Sequence, residues 1–233
     1  MHRVFIFTFI ITLTGCVYIK QPDEKLKVHQ LSPLNTKNHL IIILPGITDS
    51  LDTLRNNKLL KKIYICNPDV NIIYVIAHFG FYRTKTIVER LHKDIILPAH
   101  NKGISDIWLF GISLGGLGSL TYHNKHPDMI SGVITLAPFL GLTRDFNLYQ
   151  LEKNNKIYLK DFINFWQKTE KTLSLQKKVY LGFTKGDNYF KQQQWLADFL
   201  PEEHVTKGSG AHDWSSWKKI INKLLDSTPL CKS

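Results

Sequence analysis

Cysteine is scarce, 3 in 233 residues, and no two are spaced as Cys-x-x-Cys, so the chain encodes no zinc site of that kind. His123 and His126 stand three apart on a helical stretch, but no third ligand lies near them in the sequence, and no metal is expected. Acidic residues are also in short supply: 19 Asp+Glu against 30 Lys+Arg leave a formal net charge of +11. The excess is lysine scattered over the chain rather than gathered in one block or along one helix, which argues against nucleic acid as a partner and fits a solvated surface. The same charge would favour anionic lipid headgroups. The apolar run at residues 4–13 is too short to span a bilayer. Apolar residues overall are not lacking: 43% are hydrophobic and 21% charged, ordinary for a globular chain and compatible with one large domain.

The most informative stretch is residues 104–126, ISDIWLFGISLGGLGSLTYHNKH. A short apolar run at 107–110 reads as a buried strand, and a helical pattern carries Leu117, Leu120 and Tyr122. Between them lies Gly111-Ile112-Ser113-Leu114-Gly115, a G-x-S-x-G turn between strand and helix. Such a turn lifts a serine hydroxyl into the open only if its neighbours carry no bulk, a condition met by Gly111 and Gly115. The N–H of Leu114 falls in the first helical turn, where it lacks an intrahelical partner and is free to meet an oxyanion. A serine is a poor nucleophile at neutral pH, so the turn calls for a histidine base and an acid to orient it.

Both follow downstream. The run at 178–183, KVYLGF, reads as a strand, and Asp187 sits on the loop just past it. Residues 208–214 read Gly-Ser-Gly-Ala-His-Asp-Trp. His212 thus rides a small-residue loop before a helix whose inner stripe is Trp217, Ile220, Ile221, Leu224 and Leu225. Asp213 suits the N-cap of that helix and is poorly placed to meet its own neighbour's ring, so Asp187 is the better acid.

Upstream, 39–44 (HLIIIL) is a continuous apolar run of the kind found in the middle of a parallel sheet. Pro45-Gly46-Ile47-Thr48-Asp49-Ser50 follows, with a helix expected over 51–60 that Thr48, Asp49 or Ser50 would cap. Gly46 would let the backbone approach a ligand, with the N–H of Ile47 as a second oxyanion donor. Further strands are expected at 70–77, 131–138 and 204–206, with at most one short edge strand around 26–31. Residues 78–82 (HFGFY) read as an aromatic loop that could line a crevice or fill the core. Helices are expected over 86–97, stopped by Pro98, and over 189–200. The lysine-rich, aromatic-studded stretch 139–176 is longer than a crossover needs and reads as a small helical cap.

The amino terminus has His2 and Arg3, the short apolar run and then Leu13-Thr14-Gly15-Cys16. It resembles the signal peptide and lipobox of bacterial lipoproteins. That resemblance implies cleavage before Cys16, acylation of Cys16 and a membrane tether at the cell envelope. Val17, where inner-membrane lipoproteins carry aspartate, points to the outer membrane. The organisation expected is a signal peptide at 1–15, a tether at 16–38 and a single domain at 39–233. Cys66 and Cys231 could pair in an exported chain or remain buried thiols.

The order Ser113, Asp187, His212 on alternating strands and helices resembles the α/β-hydrolase family over roughly residues 39–226. The resemblance implies a mostly parallel, doubly wound sheet and no cofactor. It makes Ser113 the nucleophile, His212 the general base and acid, Asp187 the group fixing the histidine tautomer, and the N–H groups of Leu114 and Ile47 the oxyanion hole. Two departures stand out: the family's first strands are missing or very short, and its usual His-Gly in the oxyanion loop is here Pro45-Gly46. The Ala211-His212-Asp213-Trp214 ending is similar to that of bacterial esterases. The expected activity is therefore hydrolysis of a small-molecule ester. A thioesterase or amidase on the same fold, and a non-catalytic binding module, remain open as alternatives.

Overall fold

The computed structural model describes residues 24–31, 38–141 and 178–231. The expected signal peptide, Cys16 and all but the first residues of the expected cap lie outside them. Seven strands form one sheet: β1 Lys27–Gln30, β2 His39–Leu44, β3 Asn71–Ile76, β4 Asp106–Ile112, β5 Gly132–Leu136, β6 Val179–Thr184 and β7 Val205–Gly208. Their spatial order is β1-β3-β2-β4-β5-β6-β7. All pairs are parallel except β1 with β3. The four-residue β1 falls in the segment read as a tether with at most one edge strand, and its side chains are all exposed.

The sheet is covered on both faces, which is why its central strands read as unbroken apolar runs. Alternate residues of β2 serve opposite cores. Leu40, Ile42 and Leu44 pack with Leu91, Ile95 and Leu120, whereas Ile41 and Ile43 pack with Leu54, Leu59 and Ile63. These five of the six β2 residues are fully buried, each contributing about 1.5–3 kcal/mol through removal from water. The crossing helices are α1 Leu51–Asn56, α2 Leu59–Cys66, α3 Phe79–Arg83, α4 Ile87–Leu91, α5 Leu97–Asn101, α6 Leu114–Lys125, α7 Phe190–Ala197, α8 Trp214–Trp217 and α9 Ile221–Asp226.

Four local expectations need correction. The helix expected over 51–60 is two helices, because Asn57 ends α1 and Lys58 takes a left-handed conformation at φ 60°. The expected loop at 78–82 is the short helix α3, capped by the His78 ring, which accepts the N–H of Gly80 at 3.1 Å. The helix expected to stop at Pro98 continues to Asn101 through a π-helical stretch, His92–Ile96. There Leu97 N–H bonds to the carbonyl of His92, and the change of register absorbs the donor that proline lacks. The last helix breaks at residues 218–220 into α8 and α9, although its stripe from Trp217 to Leu225 is buried as expected.

Cys66, at the end of α2, is disulfide-bonded to Cys231 near the carboxyl terminus, with Cα atoms 4.6 Å apart. Both cysteines pack against the core on the α2 face of the sheet, and Cys66 precedes the start of β3, whereas the predicted site follows the ends of β2, β4, β6 and β7.

Candidate active site

Ser113 links β4 directly to α6, with φ 47° and ψ −111°. A non-glycine residue in that region is strained and persists only when its surroundings fix it. Here the end of β5 does so: Ser113 N–H donates to Leu136 O at 3.0 Å, and Phe139 N–H to Ser113 O at 2.9 Å. The flanking glycines are required by close approach. A Cβ on Gly115 would overlap the carbonyl oxygen of Leu44, and one on Gly111 would lie 2.5 Å from the carbonyl oxygen of Gly115.

The three side chains singled out from the sequence form one hydrogen-bonded chain. His212 Nε2 lies 2.9 Å from Ser113 Oγ, and His212 Nδ1 lies 2.7 Å from Asp187 Oδ2. The Asp187 side chain is fully buried, whereas the imidazole keeps 17% exposure. A carboxylate can only accept, so Nδ1 carries the proton and Nε2 is left to accept from the serine hydroxyl. Two further donors reach the same carboxylate: Tyr189 N–H to Oδ1 at 2.7 Å and Gln193 Nε2 to Oδ2 at 3.2 Å. Gln193 also donates to Pro138 O at 3.3 Å, tying the acid loop to the end of β5.

The His212 loop is held by continuing the β6–β7 ladder past the strands. Lys185 N–H donates to Gly208 O at 2.9 Å, Gly186 N–H to Gly210 O at 2.9 Å, and Thr184 Oγ1 to Ala211 O at 3.1 Å. Gly210 has φ +116°, and a Cβ there would run into Ser216 Oγ, so the turn admits only glycine. Tyr189 and Trp217 meet the imidazole edge-on, at centroid distances of 5.2 and 4.9 Å. Asp213 caps α8 by accepting Ser216 N–H at 2.8 Å. That backbone hydrogen bond, with the Ser215 hydroxyl behind it, holds its carboxyl below the ordinary value.

Around the serine, Leu114 N–H is at the first position of α6, where no intrahelical acceptor exists. In the loop after β2, Pro45 has no N–H, and Gly46 N–H is taken by Asp49 Oδ2 at 3.1 Å. Among the described residues the N–H of Ile47 meets no acceptor, and its side chain is 64% exposed. An ideal Cβ on Gly46 would stand 3.5 Å from Ser113 Cβ, so this loop passes beside the serine. Of the three candidate caps for α1, Ser50 takes the part: its Oγ accepts Thr53 N–H at 3.1 Å, and Thr53 Oγ1 accepts Ser50 N–H.

Among the aromatics expected near the crevice, Phe79 is exposed and Phe81 is core. His123 is fully buried, while His126 stacks on His92 with centroids 4.3 Å apart. Among the described residues no group of three or more His, Cys, Asp or Glu side chains is arranged to hold a metal. Sequence reasoning misses Gln193, whose role depends on α7 packing beside the acid loop, and the carboxylate of Asp49, for which the sequence suggests only a possible cap.

Residues 80–206 match the family model described as the alpha/beta hydrolase fold, more than half of the chain, and the protein belongs to that family. No curated protein sequence matches it. Similar solved structures include a ferulic acid esterase, with TM-score 0.60 and 14% identity, covering 89% of this chain and 98% of that one. The monoacylglycerol lipase of Paleococcus ferrophilus gives TM-score 0.56 and 14% identity over 88% and 100% of the two chains. The S-formylglutathione hydrolase of Staphylococcus aureus gives 0.56 and 15% over 80% and 79%. At such identity the likeness is one of fold.

Proposed function

We propose that the protein is a serine hydrolase of the carboxylesterase type, acting on a small-molecule ester through an acyl-enzyme. The observation that carries this reading is the continuous chain from Ser113 Oγ to His212 to the buried Asp187, at 2.9 and 2.7 Å. Ser113 Oγ bonds to the ester carbonyl carbon as His212 Nε2 takes its proton, and Asp187 stabilises the resulting imidazolium. The negative charge on the former carbonyl oxygen falls to the N–H groups of Leu114 and Ile47. Collapse expels the alcohol, which leaves with the proton from His212. Water, deprotonated by the same imidazole, then releases the acid and restores the serine. The esterase and the lipase among the structurally similar proteins support this choice of bond.

We further propose that the mature chain is anchored at the outer membrane of a bacterial cell envelope through an acylated Cys16. The Cys66–Cys231 disulfide supports export, since such bonds persist in oxidising compartments. Among the described residues no helix is long and apolar enough to cross a membrane.

Initial rates on matched ester, thioester and anilide substrates test the reaction. Turnover of the ester, lost in Ser113→Ala, is the expected result; thioester or anilide turnover with an inert ester would reassign the substrate class. Fatty-acid labelling that survives Cys16→Ser would remove the anchor.

A further inference from the structure

We propose that Asp49 is a positioning residue which locks the loop carrying Ile47 to the start of α8, directly after the loop carrying His212, and so fixes the oxyanion site against the nucleophile. The inference rests on the hydrolase reading above and goes beyond it by assigning a part to side chains outside the three-residue relay. Because Ser50 already caps α1, the Asp49 carboxylate is free for other donors, and its two oxygens divide between its own loop and the first residue of α8. Oδ2 accepts Gly46 N–H at 3.1 Å. Oδ1 accepts the indole N–H of Trp214 at 2.8 Å, across 165 residues of sequence.

The backbone of Asp49 is held as well. Its N–H donates to Gly46 O at 3.1 Å, and its carbonyl accepts the Tyr74 hydroxyl at 3.0 Å. Burial, with the Asp49 charge beside it, pushes the Tyr74 hydroxyl up to about 12, so it stays a neutral donor. Trp214 is two residues beyond His212 and packs edge-on against Trp217 at 5.4 Å, the ring that in turn meets His212. One carboxylate therefore joins the Ile47 loop to the helix start that follows His212, beside the place where a tetrahedral oxyanion would form. By engaging Gly46 N–H it also leaves Ile47 N–H as the first uncommitted donor along its loop.

The chemistry requires two acceptors, which is why the clamp needs a carboxylate. In Asp49→Asn the amide group must face one of the two N–H donors and release it. A displacement on the order of 1 Å near a reacting centre costs up to about 100-fold.

The experiment compares native protein, Asp49→Asn, Trp214→Phe and the double variant on the ester, with a trifluoromethyl ketone as a mimic of the tetrahedral oxyanion. Asp49→Asn is expected to lower kcat by about 10- to 100-fold with KM changed less than about threefold, and to weaken the ketone by the same factor as kcat. Trp214→Phe, which removes only the indole donor, should move both quantities in the same direction by less. The double variant should lose less than the product of the two single losses, because both act through one carboxylate. Native kcat and ketone affinity in Asp49→Asn, or a loss of kcat with ketone affinity unchanged, overturns the proposal while leaving the hydrolase reading intact. If Asp49→Asn fails to fold, native behaviour of Trp214→Phe overturns it instead. An inert native chain overturns both.

Discussion

Gln193 and His212 converge on the same oxygen of Asp187, at 3.2 and 2.7 Å, so a helix that contributes nothing else to the relay helps decide where its acid points. Removing that amide leaves the buried carboxylate with one donor fewer on Oδ2. Gln193→Leu is therefore expected to lower stability by about 1–3 kcal/mol and to reduce kcat more than it raises KM. Chemical denaturation and steady-state kinetics on one ester check both. Asp187→Asn should be far more severe, with a loss in kcat of about 10⁴-fold, because it permits the wrong imidazole tautomer.

Gly210→Ala tests how strictly the histidine loop is shaped. Its φ of +116° and the contact with Ser216 leave no place for a methyl group, and strain of this kind costs about 1–3 kcal/mol. Reduced kcat with a retained far-ultraviolet circular dichroism spectrum is the expected result; native kcat would show that the loop adapts.

The disulfide should matter for stability and not for chemistry. Cys66 and Cys231 join the chain across 165 residues, and among the described residues neither is hydrogen-bonded to Ser113, Asp187 or His212. Replacement of both by serine is expected to cost about 2–4 kcal/mol, read from denaturant midpoints, with kcat unchanged at 25 °C.

Acid should destabilise the protein through His92 and His126. Burial, then neighbouring positive charge from Lys125 and the surrounding histidines, holds both rings below the ordinary histidine value. The Tyr122 hydroxyl lies 3.0 Å from His92 Nδ1. With the folded value depressed, the unfolded chain binds more protons, so stability is full above about pH 6.5 and falls as pH drops below it. Melting temperature should decline from pH 7.5 to 5.5, and the decline should be shallower in His126→Gln.

The parts of the molecule that could be read from sequence are those encoded by short-range pattern. Residues 39–44 announce a central strand because every position but His39 must be apolar in a sheet covered on both faces. Ser113, Asp187 and His212 are recognisable because each follows a strand in a fixed order. What escaped depends on side chains doing unusual local duty. His78 caps a helix with its ring, Lys58 breaks one in a left-handed conformation, and a π-helical stretch carries another through Pro98. The contacts of Asp49 with Trp214 and of Gln193 with Asp187 are tertiary, and no spacing rule connects them.

Whether His212 makes Ser113 a reactive nucleophile is read from intact mass after exposure to a fluorophosphonate. An adduct is expected on the native protein that maps to Ser113, disappears in Ser113→Ala and forms far more slowly in His212→Ala. A folded native protein that stays unmodified, or an adduct that persists in Ser113→Ala, would contradict it.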